Sequence, residues 1–167
     1  MKWWILMFIT TGIFEKTEQF PPLRSYRVTL EKITLIKSEG EQHSESLFGS
    51  VWTGAFCNSN DNQVGASFDS RERTLKLFDR TADNYIKIME NNPLPLNQAL
   101  VFDIPACDKN QANIMLTASL KNRTTGRQYA TEQQRVYLSE ITGSIRHTMH
   151  CYERESHLQL SFIITLL

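Results

Sequence analysis

The last stretch of the chain alternates. Leu158, Leu160, Phe162, Ile164 and Leu166 are separated by Gln159, Ser161 and Thr165, the period of two that gives an extended strand one apolar face. A helix would spread these five side chains round its circumference, so the pattern predicts a half-buried strand docked in the core. Near the other end, Tyr26, Val28 and Leu30 are followed by Ile33 and Leu35 one residue out of phase, which predicts a β-bulge at Glu31 and Lys32. Residues 47–56 are aromatic and β-prone but interrupted by Gly49 and Gly54, each expected to mark a bulge or a close backbone approach. Short apolar or alternating runs recur at 74–78, 85–89, 100–104, 113–120, 135–141 and 145–152, bounded by Asp, Asn, Pro or Gly. The run at 145–152 and the final one face each other across the polar stretch 153–156, so they should form an antiparallel hairpin.

About eight or nine short strands at spacings near a dozen residues, with no convincing amphipathic helix and no internal repeat, predict an all-β fold: a two-sheet antiparallel β-sandwich of about eight strands. The chain of 167 residues fits one such domain. It is expected to start near Ser25. Residues 1–24 read as a separate piece: Lys2 followed by about a dozen mainly apolar residues has the length of a signal-peptide core, and Pro21-Pro22 makes the rest an extended linker. No small residue pair marks a cleavage point after it, so export to the exterior or cell envelope stands beside the alternative of a buried or interfacial N-terminal segment.

Eighteen basic and eighteen acidic residues balance. The chain as a whole therefore has no field to steer nucleic acid or to bind an anionic membrane by charge alone, and its seven isolated glycines form no phosphate-binding loop. No cofactor is expected. The acidic stretch containing Glu39, Glu41 and Glu45 offers oxygen ligands that, with Asp103 or Asp108 from another loop, suit a calcium ion; a solvated acidic loop is the simpler alternative. Imidazole and thiolate ligands crowd together at His147, His150, Cys151 and His157, a set that suits zinc. Strand alternation divides it, however, putting His147 and Cys151 on one face and His150 on the other, which leaves as the metal alternative a three-ligand site made where a hairpin brings His157 near His150 or Cys151. Cys57, Cys107 and Cys151 carry no nucleophile signature and read as buried thiols. Phe48, Trp52 and Phe56 share one face of a strand, either as a ligand-stacking platform or as core. Asn122-Arg-Thr124 is a glycosylation sequon, which matters only on a secretory route.

Four stretches carry a resemblance. Tyr26-Arg-Val-Thr-Leu-Glu-Lys-Ile33, the acidic loop leading to Leu47-Phe-Gly-Ser-Val51, Asn84-Tyr-Ile-Lys-Ile-Met-Glu90 and Asn97-Gln-Ala-Leu-Val-Phe-Asp-Ile104 resemble the C-terminal β-sandwich module of thiol-activated cytolysin-like proteins of Bacteroidota. That module is itself similar to the synaptotagmin-type lipid-binding sandwich. The resemblance covers residues 25–167 and implies a lipid-binding accessory module. The Trp-rich membrane loop and the pore-forming domains of such cytolysins have no counterpart here. The expected function is a non-enzymatic binding or adhesion module whose partner is a membrane lipid, a glycan or a protein surface. The alternatives are a small zinc enzyme using the region from His147 to His157, and a structural or assembly subunit.

Overall fold

The computed structural model describes residues 24–39, 41–56, 75–104, 109–131 and 133–167. The expected leader, Cys57, the stretch Asn58-Ser-Asn-Asp-Asn62 whose composition predicts a turn, Cys107 and Asp108 lie outside the described residues. Nine strands occur among those described: β1 (Arg24–Lys37), β2 (Ser44–Phe56), β3 (Leu75–Arg80), β4 (Ile86–Met89), β5 (Leu94–Ile104), β6 (Asn113–Asn122), β7 (Gln134–Tyr137), β8 (Ser144–Glu153) and β9 (Ser156–Leu166). They form two antiparallel sheets. The first has the order β5-β1-β9-β8 and the second β3-β2-β6-β7, with β4 paired to the start of β2. The fold is the two-sheet sandwich that the alternation predicts.

Period-two alternation decides which side chains meet between the sheets. From the first sheet come Leu30, Ile33, Leu35, Leu158, Leu160 and Phe162, and from the second Leu47, Val51, Ile114, Leu116 and Leu120, all without exposed surface. The phase slip in β1 is real: its register with both β5 and β9 shifts between Leu30 and Lys32. An extra residue there keeps Leu30 and Ile33 both inward, which strict alternation would forbid. The hairpin of β8 and β9 pairs from Ser144 with Thr165 to Glu153 with Ser156.

Two expected boundaries move. Strand β5 begins at Leu94 rather than Leu100, taking Pro95 into the sheet opposite Lys32. Because β5 is an edge strand, a proline there removes no ladder hydrogen bond that a neighbour needs. The expected run at 135–141 instead leaves the sheet after Tyr137 and turns through a 3-10 segment, Leu138–Glu140. Its backbone N–H groups find loop partners: Leu138 N–H donates to the Ala112 carbonyl at 2.9 Å and Ser139 N–H to the Lys109 carbonyl at 3.1 Å.

Register also fixes the two ends of the sandwich. Arg24, Ile104 and Leu166 lie at one end of the first sheet, and Lys37, His157 and the turn of β8 and β9 at the other. Strand β2 starts directly after β1 stops, so Glu45 sits at the second of these ends.

Candidate functional site

The outer face of the second sheet concentrates apolar rings among cations. In β2, Leu47, Val51, Thr53 and Ala55 are buried, so alternation turns Phe48, Trp52 and Phe56 away from the core; all three are half-buried. Antiparallel partners share a face. Phe48 pairs with Lys121, Trp52 with Thr117 and Lys76, and Met115 with Arg135. At the start of β2, Ser46 pairs with Lys87 and Ser44 with Met89, which is 55% exposed. Tyr137, at the far edge, is 37% exposed. The strands of this face thus present Lys76, Lys87, Lys121 and Arg135, with Asp79 as the single carboxylate on the face among the described residues. Asp79 is already engaged. Lys76 Nζ donates to it at 2.8 Å and Ser50 Oγ at 2.5 Å, and these bonds hold its carboxyl below the usual range.

Phe48, Trp52 and Phe56 are thus no part of the buried core between the sheets. The cations beside them are invisible on β2 itself, because they enter through β3, β4, β6 and β7. Only the pairing register brings them alongside.

Among the described residues, the carboxylates proposed for calcium do not assemble. Asp103 pairs with Ser25 and accepts a hydrogen bond from Ser25 Oγ at 2.6 Å. Ser25 and Lys37 are twelve residues apart on β1, about 40 Å at the rise of an extended strand. Asp103 is therefore at the opposite end from Glu39 and Glu45. Glu41 is exposed. Glu39 faces Arg154, whose Nη1 lies 3.4 Å from its Oε1.

Glu45 is not a loop acid at all. It points between the sheets, 7% exposed, where its carboxylate accepts from Ser156 Oγ at 2.5 Å, Asn122 Nδ2 at 3.1 Å and Ser38 Oγ at 3.3 Å. Burial pushes its pKa up; the bonds from Ser156 and Ser38 oppose this, the nearby Glu153 charge adds to it, and the Asn122 bond opposes it. Glu153, 5% exposed, accepts from Thr125 Oγ1 at 3.0 Å. The sequon asparagine is consumed in this cluster, since Asn122 is buried and its amide donates to Glu45. It offers no free acceptor for a glycan in the folded chain.

A raised carboxyl pKa has a definite sign. Between the ordinary value of 4.5 and the raised one, the folded chain holds a proton that the unfolded chain has lost, so this group's contribution to stability falls as pH rises through that window. Replacing Glu45 with Gln removes the titration. The expected result is a melting-temperature difference in favour of Glu45→Gln that grows as pH is raised above 4.5, followed by thermal melts from pH 4 to 8. A constant difference across that range would contradict it.

The set proposed for zinc is split by alternation as its spacing implied. His147 and Cys151 are on the inner side of β8. His147 Nε2 contacts Gln134 Oε1 at 2.6 Å, and burial lowers its pKa. Cys151 is fully buried, and burial pushes its thiol up to about 11 despite a hydrogen bond with Thr131. A thiol at that value holds almost no thiolate at neutral pH and makes a poor nucleophile. Cys151 should resist alkylation by iodoacetamide in the native chain and react only on unfolding, read by mass spectrometry of the peptide containing it. His150 and His157 meet on the outer face, their Nδ1 and Nε2 atoms 2.8 Å apart. No group of three or more His, Cys, Asp or Glu side chains suited to a metal occurs among the described residues. On the same outer face, the β1 bulge borders a polar recess of about 320 Å³ lined by Lys32, Thr34, Thr148 and Ser161. Across it Arg146 reaches Glu31 at 3.5 Å.

No family model and no curated protein matches the sequence. Among solved structures, the chain is similar to human GIVD cytosolic phospholipase A2 in complex with a methyl gamma-linolenyl fluorophosphonate inhibitor and terbium chloride. The TM-score is 0.48 at 10% identity, covering 89% of this chain and 18% of that one. A second structure of the human enzyme gives a TM-score of 0.44 at 9% identity, covering 89% and 16%. The chain spans less than a fifth of that protein's length, and a likeness at this level says nothing of ligand or activity. No helix among the described residues is long and apolar enough to cross a membrane.

Proposed function

We propose that this chain is a non-catalytic module that docks on anionic membrane surfaces through the outer face of its second sheet. The observation that carries this reading is the row Phe48, Trp52 and Phe56, turned outward and set among Lys76, Lys87, Lys121 and Arg135 on a chain whose total charge is zero. Aromatic rings settle at the boundary between headgroups and acyl chains, where one edge is apolar and the other wet. Lysine and arginine lay their aliphatic stems on the same surface while their charges reach the phosphates. Each basic residue near an anionic leaflet contributes about 1 kcal/mol, screened within a Debye length. The combination favours a charged lipid surface over a neutral glycan, for which the cations would serve no purpose.

The resemblance to a lipid-binding accessory module points the same way. The zinc-enzyme alternative loses its ligand set, because His147 and Cys151 face inward while His150 and His157 face outward. The test is co-sedimentation with vesicles of phosphatidylcholine alone and with added phosphatidylserine, over a salt series. Binding that requires phosphatidylserine and weakens with salt is expected. A folded chain that ignores both vesicles would overturn the reading.

A further inference from the structure

The two histidines on the outer face of the first sheet have no role in membrane docking, which uses the opposite side of the sandwich. His150 lies on β8 and His157 on β9, diagonal to each other across the ladder: Gln159 is opposite His150, and Tyr152 is opposite His157. Diagonal neighbours on one face bring long side chains into contact, and here the two rings approach to 5.0 Å between centroids, with Nδ1 of His150 2.8 Å from Nε2 of His157. We propose that His150 Nδ1 and His157 Nε2 together hold one divalent transition-metal ion, with the remaining coordination positions open to water or to a donor from outside the chain.

The geometry is close to what such an ion requires. At metal–nitrogen distances of about 2.0–2.1 Å, neighbouring ligand nitrogens lie about 2.9 Å apart in a square-planar shell and about 3.3 Å apart in a tetrahedral one. The observed separation fits the first with almost no movement and the second with a small opening. Without an ion, one of the two nitrogens carries the proton shared across the contact. With an ion both must present lone pairs, and that proton moves to the far nitrogen of its ring, a tautomeric change that loses no proton from the pair.

The supports are independent of the ion. Tyr152 stacks on His157 with centroids 4.5 Å apart, fixing the plane of that ring. The backbone of β8 is clamped from its free side by Ala130, whose N–H donates to the Tyr152 carbonyl at 2.6 Å and whose carbonyl accepts from Tyr152 N–H at 2.9 Å. The two cations flanking the hairpin are each compensated, Lys37 by Glu155 at 3.0 Å and Arg154 by Glu39 at 3.4 Å. An incoming cation meets no unbalanced positive field from them. Ligand type then sets the order of affinity: an imidazole pair binds copper(II) more tightly than nickel(II) or zinc.

The experiment is titration of the tag-free full chain with copper(II) and with zinc, by calorimetry and by electron paramagnetic resonance for copper. One ion per chain is expected, copper tighter than zinc, with nitrogen ligands in the copper spectrum. His150→Ala and His157→Ala should each lower the affinity at least about tenfold, while His43→Ala, which alters an exposed histidine paired with Glu90, should leave it unchanged. Both ligand residues lie on the surface, and thermal melts check that the variants fold. As a second readout on the unaltered chain, zinc should protect His150 and His157, and not His43, from modification by diethyl pyrocarbonate. Absence of saturable binding, or binding that survives either substitution undiminished, overturns the site.

Discussion

Gly49→Ala should be the most damaging single-methyl change in the second sheet. Gly49 holds a φ of +118°, and a Cβ built there would overlap the carbonyl oxygen of Ser119 on β6. Two costs combine. The backbone conformation alone is worth about 1–3 kcal/mol for a residue with a side chain. The overlap is with backbone rather than with a movable side-chain end, so β2 and β6 must separate within their ladder, at its third pair, Gly49 with Leu120. A loss of about 3 kcal/mol or more is expected, a large part of the roughly 5–15 kcal/mol that a domain of this kind has. Gly126, with a φ of +71° but open space around its Cβ position, should lose only the conformational part, about 1–2 kcal/mol. Gly143, equally open, should change by no more than about 0.5 kcal/mol. Denaturant midpoints of the three alanine variants give this order directly. Equal midpoints for positions 49 and 143 would show that the ladder is not as close as described.

The second large effect concerns binding. Lys87→Glu, Lys121→Glu and Arg135→Glu together reverse three of the four cations on the proposed docking face; Lys76 is left because it holds Asp79. At about 1 kcal/mol per basic residue near an anionic leaflet, removing these three charges alone costs about 3 kcal/mol, on the order of a hundredfold in partitioning. The introduced carboxylates add repulsion to that loss. Thermal stability should change little, since the three side chains are outward. Reversal of Arg27 and Arg146 on the opposite sheet should have a small effect, limited to the change in net charge. If the triple reversal and the double reversal weakened binding equally, the interaction would be a general charge effect with no preferred face.

The strands were legible because alternation is a local property. The out-of-phase pair Ile33 and Leu35 announced the β1 bulge, and the five alternating residues of β9 announced a strand that the structure places between β1 and β8. Errors arose where a neighbour decides the outcome. The expected run began only at residue 100, beyond Pro93 and Pro95, whereas the edge position of β5 lets the strand take in Pro95. Leu138 is buried as a strand residue would be, yet its N–H bonds to a loop carbonyl from residue 112, a partner that no periodicity reveals.

The site was legible by halves. Phe48, Trp52 and Phe56 stand out on β2, but their side of the sheet depends on the parity of Leu47 and Val51, and their cationic neighbours on four other strands. Glu45 shares that inward parity with Leu47, so its burial was present in the pattern; its place in a polar stretch concealed it. Asp103 was grouped with Glu39 and Glu45 by residue type alone. Chain direction through the antiparallel strands puts it at the other end, which composition does not record. The meeting of His150 and His157 follows from the turn at 154–155, because a one-residue change in its length would put the two rings on opposite faces.

The most direct test of the membrane-docking account uses Trp52 as its own reporter. With Trp3 and Trp4 replaced by Phe, Trp52 is the remaining tryptophan of the three in the chain, and its fluorescence can be followed on phosphatidylserine-containing vesicles whose acyl chains carry bromine near the headgroup. Docking through the second sheet predicts a blue-shifted emission and quenching by the shallow bromines, absent with phosphatidylcholine alone. Bound protein whose Trp52 is neither shifted nor quenched would contradict it, because the ring at the centre of the proposed face would then still be in water.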